Sequence, residues 1–291
     1  MLTCKEYAAK RKEELKQYIT EKGLHPCLVV IQVGDDPASN SYIRGKMRDC
    51  EEVGIKCILD KVPDEEDWVT QEYMQEKLIR YGLDNRCHGI ILQLPIPKRF
   101  DLKELQSCIF QRKDVDGFTL GSKFDPCTPA GVIGYLKAVG YEFEGKDALV
   151  IGRSDIVGKP LARMLTDLDC TVTLAHSKSK RIMTKIANAD ILFTCTNKIE
   201  YYDASWFGDI YDVPRAIIDI GLGVGEDGKL HGNIYHKTVE SIRRYKNADD
   251  IIVSGTGGVG LLTRVALLEN VVRAAEMQLV PEFMKKNFII R

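Results

Sequence analysis

A chain of 291 residues, 44 % hydrophobic and 29 % charged, is long enough for two globular domains with sizeable cores. A formal net charge of -1 leaves no global field to draw the chain to nucleic acid or to an anionic membrane, and basic residues do not interleave with aromatics as in a nucleic-acid module. Nine cysteines, an odd number without any C-x-x-C, point to reduced thiols rather than a disulfide framework. Cys87-His88 and His25/Cys27 are isolated pairs, and His231 and His236 do not share a helical face, so all of these read as structural and no metal site is expected.

The first ten residues are polar and partly acidic and read as an amphipathic helix, unlike a signal or transit peptide. No apolar run is long enough to span a bilayer, and the expected compartment is the cytoplasm. Strand-like and helix-like segments then alternate. Residues 27–33 (CLVVIQV) read as a buried strand, 41–53 as a helix closed by Gly54, and 56–60 as a second strand. Residues 68–81 read as a helix ended by Gly82, and 89–95 as a third strand. A helix within 126–140 links to a new series with strands at 146–152, 170–175, 190–194, 216–220 and 250–254. A long apolar-faced helix at 261–277 precedes a tail at 280–291. This alternation predicts an α/β fold with parallel strands and crossover helices: two three-layer domains flanking a cleft, the second Rossmann-like.

Gly152-Arg-Ser-Asp-Ile-Val-Gly158 follows the first strand of the second series. Glycine between a strand and a helix lets a backbone approach a pyrophosphate near free helix N–H groups, although G-x5-G is not the standard G-x-G-x-x-G fingerprint. The next strand ends at Ala175-His176-Ser177-Lys178, with no Asp or Glu to take a ribose 2′-hydroxyl. Arg153, Ser177 and Lys178 instead suit a 2′-phosphate, which favours NADP over NAD. A second glycine loop, Gly255-Thr-Gly257-Gly258-Val-Gly260, precedes the long helix.

In the first series, Tyr42 and Lys46 are four apart, on one helical face. A phenol beside an amine can move protons and grip a flat ring. Gln93 ends the third strand, where its amide can orient a lysine amine. Asp116 in Lys113-Asp-Val-Asp-Gly-Phe can accept two parallel hydrogen bonds from an amidine-like ring edge, while Asp114 or Asp116 can also simply form the turn before Gly117.

The ordered segments VGDDPASNSYIRGK, CEEVGI, GIILQLPIP, KDVDGF, PCTPAG, VIGRSDIVGKPLA, TVTLAHSKS, IIDIG and GGVG resemble the bifunctional methylenetetrahydrofolate dehydrogenase/cyclohydrolase family of the FolD type over nearly the whole chain. The resemblance implies oxidation of 5,10-methylene-tetrahydrofolate with NADP, then hydrolysis to 10-formyl-tetrahydrofolate. It implies a folate domain at 1–140 completed by a helix at 265–291, an NADP domain at 141–264, and a homodimer. Lys46 becomes the catalytic lysine, Tyr42 the residue stacked on the folate, Gln93 the holder of Lys46, and Asp116 the pterin-edge acceptor. Gly152, Arg153, Ser154, Ile156, His176, Ser177, Thr196, Gly257 and Gly258 become cofactor neighbours. Two segments depart from the family pattern. The loop that usually reads P-V-P-G-G-V-G-P-M-T is Ser254 to Thr263 without its three prolines, and G-D-V is Gly232-Asn233-Ile234. Lost prolines loosen a loop expected to touch nicotinamide and folate. The alternatives are a shikimate-dehydrogenase-like NADP oxidoreductase, which leaves the Tyr42, Gln93 and Asp116 motifs unexplained, and a binding protein of this fold that lost turnover.

Overall fold

The computed structural model describes residues 2–119, 121–207, 214–245 and 250–279; the tail expected at 280–291 lies outside the described residues. The chain forms two compact units, one of Ala9–Cys127 with the segment from Arg264 onward, the other of Met1–Ala8 with Thr128–Thr263. Three helices, α1 (Cys4–Glu21), α5 (Cys127–Ala138) and α9 (Gly260–Leu279), contain the points where the chain passes from one unit to the other. From sequence, the corresponding divisions were expected at 140/141 and 264/265.

The unit that begins at Ala9 is built on a parallel sheet of β1 (Cys27–Val33), β2 (Lys56–Val62) and β3 (Gly89–Gln93), in the order β2-β1-β3. Every residue of β1 and β3 is buried, which is why both read as unbroken apolar runs rather than alternating ones. Val29, Ile31, Val33, Ile90 and Leu92 pack on one face with Met74 and Leu78. Successive side chains alternate, so Gln32 and its register partner Gln93 project from the other face. Helix α2 (Pro37–Val53) starts where the Asp36 carboxylate accepts the Ser39 N–H, with proline at its first position, and stops at Gly54, whose φ of +86° suits a left-handed cap. Helix α3 (Gln71–Leu83) begins at a Thr70 cap, later than the sequence suggested, and runs through Gly82 instead of ending there. A Cβ on Gly82 would lie 2.9 Å from the Phe110 ring, so this glycine serves a close packing contact inside a helix. A short α4 (Leu102–Ser107) follows, capped by Asp101.

The other unit carries a five-stranded parallel sheet. Its strands are β4 (Asp147–Ile151), β5 (Thr171–Ala175), β6 (Ile191–Thr194) and β7 (Ala216–Asp219), then, after an antiparallel hairpin of β8 (Leu222–Val224) and β9 (Leu230–Gly232), β10 (Ile251–Val253). The order is β10-β7-β6-β4-β5. Crossover helices α6 (Gly158–Thr166), α7 (Ile182–Ala187) and α8 (His236–Tyr245) cover it. Val150, Phe193 and Ile218 pack on one face with Val132 and Leu136 of α5 and Leu161 of α6. Leu149, Leu192 and Ile217 pack on the other with Ile186 of α7 and Ile242 of α8. Helices on both faces of a parallel sheet give the expected three-layer α/β architecture. Chain order reverses between β4 and β6, so the crevice beyond their C-terminal ends is the switch point where such sheets bind ligands. Among the described residues no helix is long and apolar enough to cross a membrane.

Candidate functional site

In the first of these units, α2 presents Tyr42 and Lys46 on one face, with the Lys46 ammonium 5.0 Å from the centre of the Tyr42 ring. Lys46 is only 6 % exposed. Its Nζ donates to Gln93 Oε1 at 3.0 Å, and Gln93 Nε2 donates to the Leu94 carbonyl at 2.8 Å. The second bond decides which end of the amide faces the lysine. Tyr42 keeps 36 % of its surface exposed, and its phenol pKa is pushed up to about 12, first by desolvation and then by the Asp116 charge. A phenol held neutral can donate a hydrogen bond at physiological pH.

Asp116 joins the same group. Burial pushes its carboxyl above the usual carboxylate range, Lys46 pulls it down, and Asp114 adds to the rise. The loop carrying it is fastened on several sides. Lys113, fully buried, donates to the Tyr81 and Asp84 carbonyls at 3.1 and 2.7 Å. The Asp114 carboxylate accepts the Thr119 N–H and O–H at 2.7 and 2.8 Å. Gly117 turns the chain at φ +73°, where a Cβ would lie 2.6 Å from Pro126 N. Asp114 is therefore the turn former, and Asp116 remains the candidate acceptor.

Sequence reasoning missed the residues behind this group. Asp49, 4 % exposed, bonds Arg264 of α9 and lies 3.4 Å from Lys12 of α1. Asn270 of α9 donates to the Val115 carbonyl at 2.9 Å, and the Cys127 thiol lies against the Asp116 carboxylate. Asp49 is one helical turn beyond Lys46 and carried a signal as a charge on the apolar side of α2. Its partners, more than 200 residues away for Arg264, carried none.

In the other unit, Gly152 leaves β4 with φ +129°. A Cβ there would lie 2.2 Å from the Cys195 carbonyl, and one on Gly158 would lie 2.1 Å from the Gly152 carbonyl. The G-x5-G spacing is thus a turn that closes on itself and on the end of β6. Ser154 Oγ accepts the Val157 and Gly158 N–H groups at 3.2 and 3.3 Å and so holds the turn that enters α6. Arg153, Ser154 and Ile156 are exposed on this turn, as are Ser177 and Lys178 after β5, while His176 is half-buried and its Nδ1 accepts the Lys178 N–H. Arg153 and Lys178 form no ion pair among the described residues, and no carboxylate stands at 176–178. Two available cations and a hydroxyl fit a phosphorylated ribose better than a free 2′-hydroxyl. Thr196 lies two residues beyond β6, across the switch point from Gly152. Gly257, at φ +80°, and buried Gly258 belong to a wide turn (Gly255–Val259) that leads into α9. These groups fall into two clusters, Tyr42, Lys46, Gln93 and Asp116 in one unit and the glycine-turn residues in the other.

Residues 2–116 match the family model described as the tetrahydrofolate dehydrogenase/cyclohydrolase catalytic domain, and residues 126–279 match that of the NAD(P)-binding domain. The "Bifunctional protein FolD" of Agathobacter rectalis is 37 % identical over 275 residues, covering 90 % of this chain and 94 % of its own. Among solved structures, the bifunctional FolD methylenetetrahydrofolate dehydrogenase/cyclohydrolase of Campylobacter jejuni superposes with a TM-score of 0.84 at 34 % identity, covering 95 % of this chain and 98 % of its own. The Trypanosoma brucei enzyme, complexed with NADP cofactor and inhibitor, superposes with a TM-score of 0.82 at 27 % identity, covering 94 % and 96 %. With both of its halves matched in order, the chain belongs to the tetrahydrofolate dehydrogenase/cyclohydrolase family.

Proposed function

We propose that the protein oxidises 5,10-methylene-tetrahydrofolate to the 5,10-methenyl form with NADP and hydrolyses that product to 10-formyl-tetrahydrofolate. The observation that carries this reading is the buried Lys46–Gln93 pair with Tyr42 and Asp116 beside it. Tyr42 offers a ring face to the pterin, and Asp116 offers two acceptor oxygens to its amidine-like edge. Bound NADP would accept the hydride, a step that asks the protein for positioning more than for acid–base help.

Hydrolysis asks for more. Water must be deprotonated as it adds to the methenyl carbon, and a ring nitrogen must take a proton as the ring opens. Lys46 is the residue able to carry both protons, and Gln93 Oε1 holds its Nζ in place. For the cofactor we assign Gly152, Arg153, Ser154, Ile156, His176, Ser177, Thr196, Gly257 and Gly258, with Arg153 and Ser177 at the 2′-phosphate. The folate unit would be Ala9–Cys127 with the segment from Arg264, and the NADP unit Thr128–Thr263 with the first eight residues. We further propose a cytoplasmic homodimer. The apolar residues Leu222, Val224 and Leu230 exposed on the β8–β9 hairpin support self-association, which sedimentation would read directly.

One assay tests the activity. Protein, methylene-tetrahydrofolate and either NADP or NAD are mixed, and methenyl absorbance and its decay are followed. A rise with NADP followed by decay is expected. No rise with either cofactor would return the chain to the binding-protein reading.

A further inference from the structure

We propose that Asn233 is a positioning residue for the dinucleotide site, its carboxamide oxygen fixing the Thr196 turn at the crevice between β4 and β6. The inference rests on the cofactor reading above. Asn233 is fully buried, and its side chain spends all of its hydrogen-bonding capacity on one short stretch of chain. Oδ1 accepts the Thr196 N–H at 2.8 Å and the Thr196 O–H at 3.2 Å. Nδ2 donates to the Thr196 carbonyl at 3.1 Å and to the Lys198 carbonyl at 2.7 Å.

Asn233 is itself held from below. Its N–H donates to Asp219 Oδ1 at 3.0 Å, and the neighbouring Ile234 N–H donates to Asp219 Oδ2 at 3.1 Å. Thr194, the last residue of β6, donates its hydroxyl to the same Asp219 oxygen at 2.7 Å. The ends of β6, β7 and β9 are thus tied to one buried carboxylate, and Asn233 carries that order outward to Thr196. The packing leaves no slack: a Cβ on Gly221 would lie 2.3 Å from Asn233 Oδ1 and 2.4 Å from the Thr196 carbonyl. On the other side of the crevice, Gly152 abuts Cys195, the residue before Thr196. Any shift of the Thr196 turn therefore reshapes the place where this sheet topology puts its ligand.

The test compares wild type, Asn233→Ala and Asn233→Asp by titration calorimetry with NADP, with steady-state kinetics and with hydrogen exchange of a peptide covering residues 195–199 in the NADP-free protein. Asn233→Ala is expected to weaken NADP binding about tenfold and to raise the KM for NADP far more than the KM for the folate. Asn233→Asp keeps the acceptor for Thr196 and, with burial beside Asp219 holding its carboxyl protonated, a donor for the Lys198 carbonyl, so below neutral pH it should recover at least about threefold of that affinity and slow the exchange of the 195–199 peptide relative to the alanine variant. NADP affinity within about twofold of wild type in Asn233→Ala, or no recovery in Asn233→Asp, would overturn the proposal. Failure of the wild type to bind NADP would overturn the cofactor reading and this role with it. The ligand-free exchange data separate that outcome from a turn that Asn233 does not hold.

Discussion

Lys46 and Gln93 form one hydrogen-bonded unit across 47 residues of sequence, with Nζ 3.0 Å from Oε1 in a buried setting. The amide acceptor faces the lysine because its NH2 is committed to the Leu94 carbonyl. The arrangement predicts a split between the two activities. Lys46→Met should lower methenyl-tetrahydrofolate hydrolysis by about 100-fold or more, the range of a lost acid–base group, and spare more of the NADP-dependent oxidation. The two rates are read separately, from methenyl decay and from NADPH appearance. Equal loss of both would remove Lys46 from the hydrolytic step.

Asp116 sits where burial works against its charge, so the folded state favours its protonated form relative to the unfolded chain. Two effects of opposite sign follow for Asp116→Asn. Removing this half-buried, desolvated carboxylate should raise the thermal midpoint, because its ionised form weighs against folding at neutral pH. Losing the paired acceptor should raise the folate KM by about tenfold or more. In the wild type, folate KM should rise as pH falls through a midpoint above the ordinary Asp range, and the variant should lack that limb. A variant that is both less stable and unchanged in KM would contradict the assignment.

Buried parallel strands such as β1 and β3 write themselves as apolar runs, and Gly54 marked the end of α2. The start of α2 was read at 41, four residues late, because the first turn after the Asp36 cap and Pro37 is polar and reads as loop. The β8–β9 hairpin was not legible, because each strand has three residues, with glycine in Leu222–Val224 and again in Leu230–Gly232. Asp114 and Asp116 could each form the turn before Gly117, and Lys113 carried no reading of its own. Only their partners, the Tyr81 and Asp84 carbonyls and Thr119, separate scaffold from site. Arg264 and Asn270 could not be read at all, since they meet Asp49 and Val115 through tertiary folding over 215 and 155 residues.

The glycine loop lacks the prolines of the family pattern but keeps a backbone that one of them could occupy. Thr256 has φ −76° and ψ 118°, inside the range a proline ring imposes. Thr256→Pro should therefore be tolerated and should stabilise the protein by about 0.4–1 kcal/mol through the unfolded chain. It should also tighten NADP binding, because a stiffer loop loses less freedom when the cofactor docks. Thermal unfolding with and without NADP reads both effects. A fall in midpoint would mean that the Thr256 hydroxyl or N–H serves the loop.

Asp219 supplies a pH signature for the cofactor-binding unit. Desolvation raises its carboxyl to about 6, although Thr194, Ile234 and Asn233 all donate to it and pull the other way. The folded state therefore keeps a proton between the ordinary Asp value of 3.8 and about 6 that the unfolded chain releases. The associated stability is fully present below the unfolded value and is lost as pH rises through about 6. The full loss amounts to about 3 kcal/mol for a residue this buried. Asp84, lowered to about 2 by its bonds to Arg86, acts in a more acid range, while Asp116, also raised, adds to the slope equally in both proteins. Asp219→Asn should flatten the slope between pH 4 and 6 while lowering stability throughout, since an NH2 group then faces the donors that the carboxylate accepted. Calorimetric unfolding of both proteins at half-unit pH intervals measures this, and an undiminished slope in the variant would assign the window to another group.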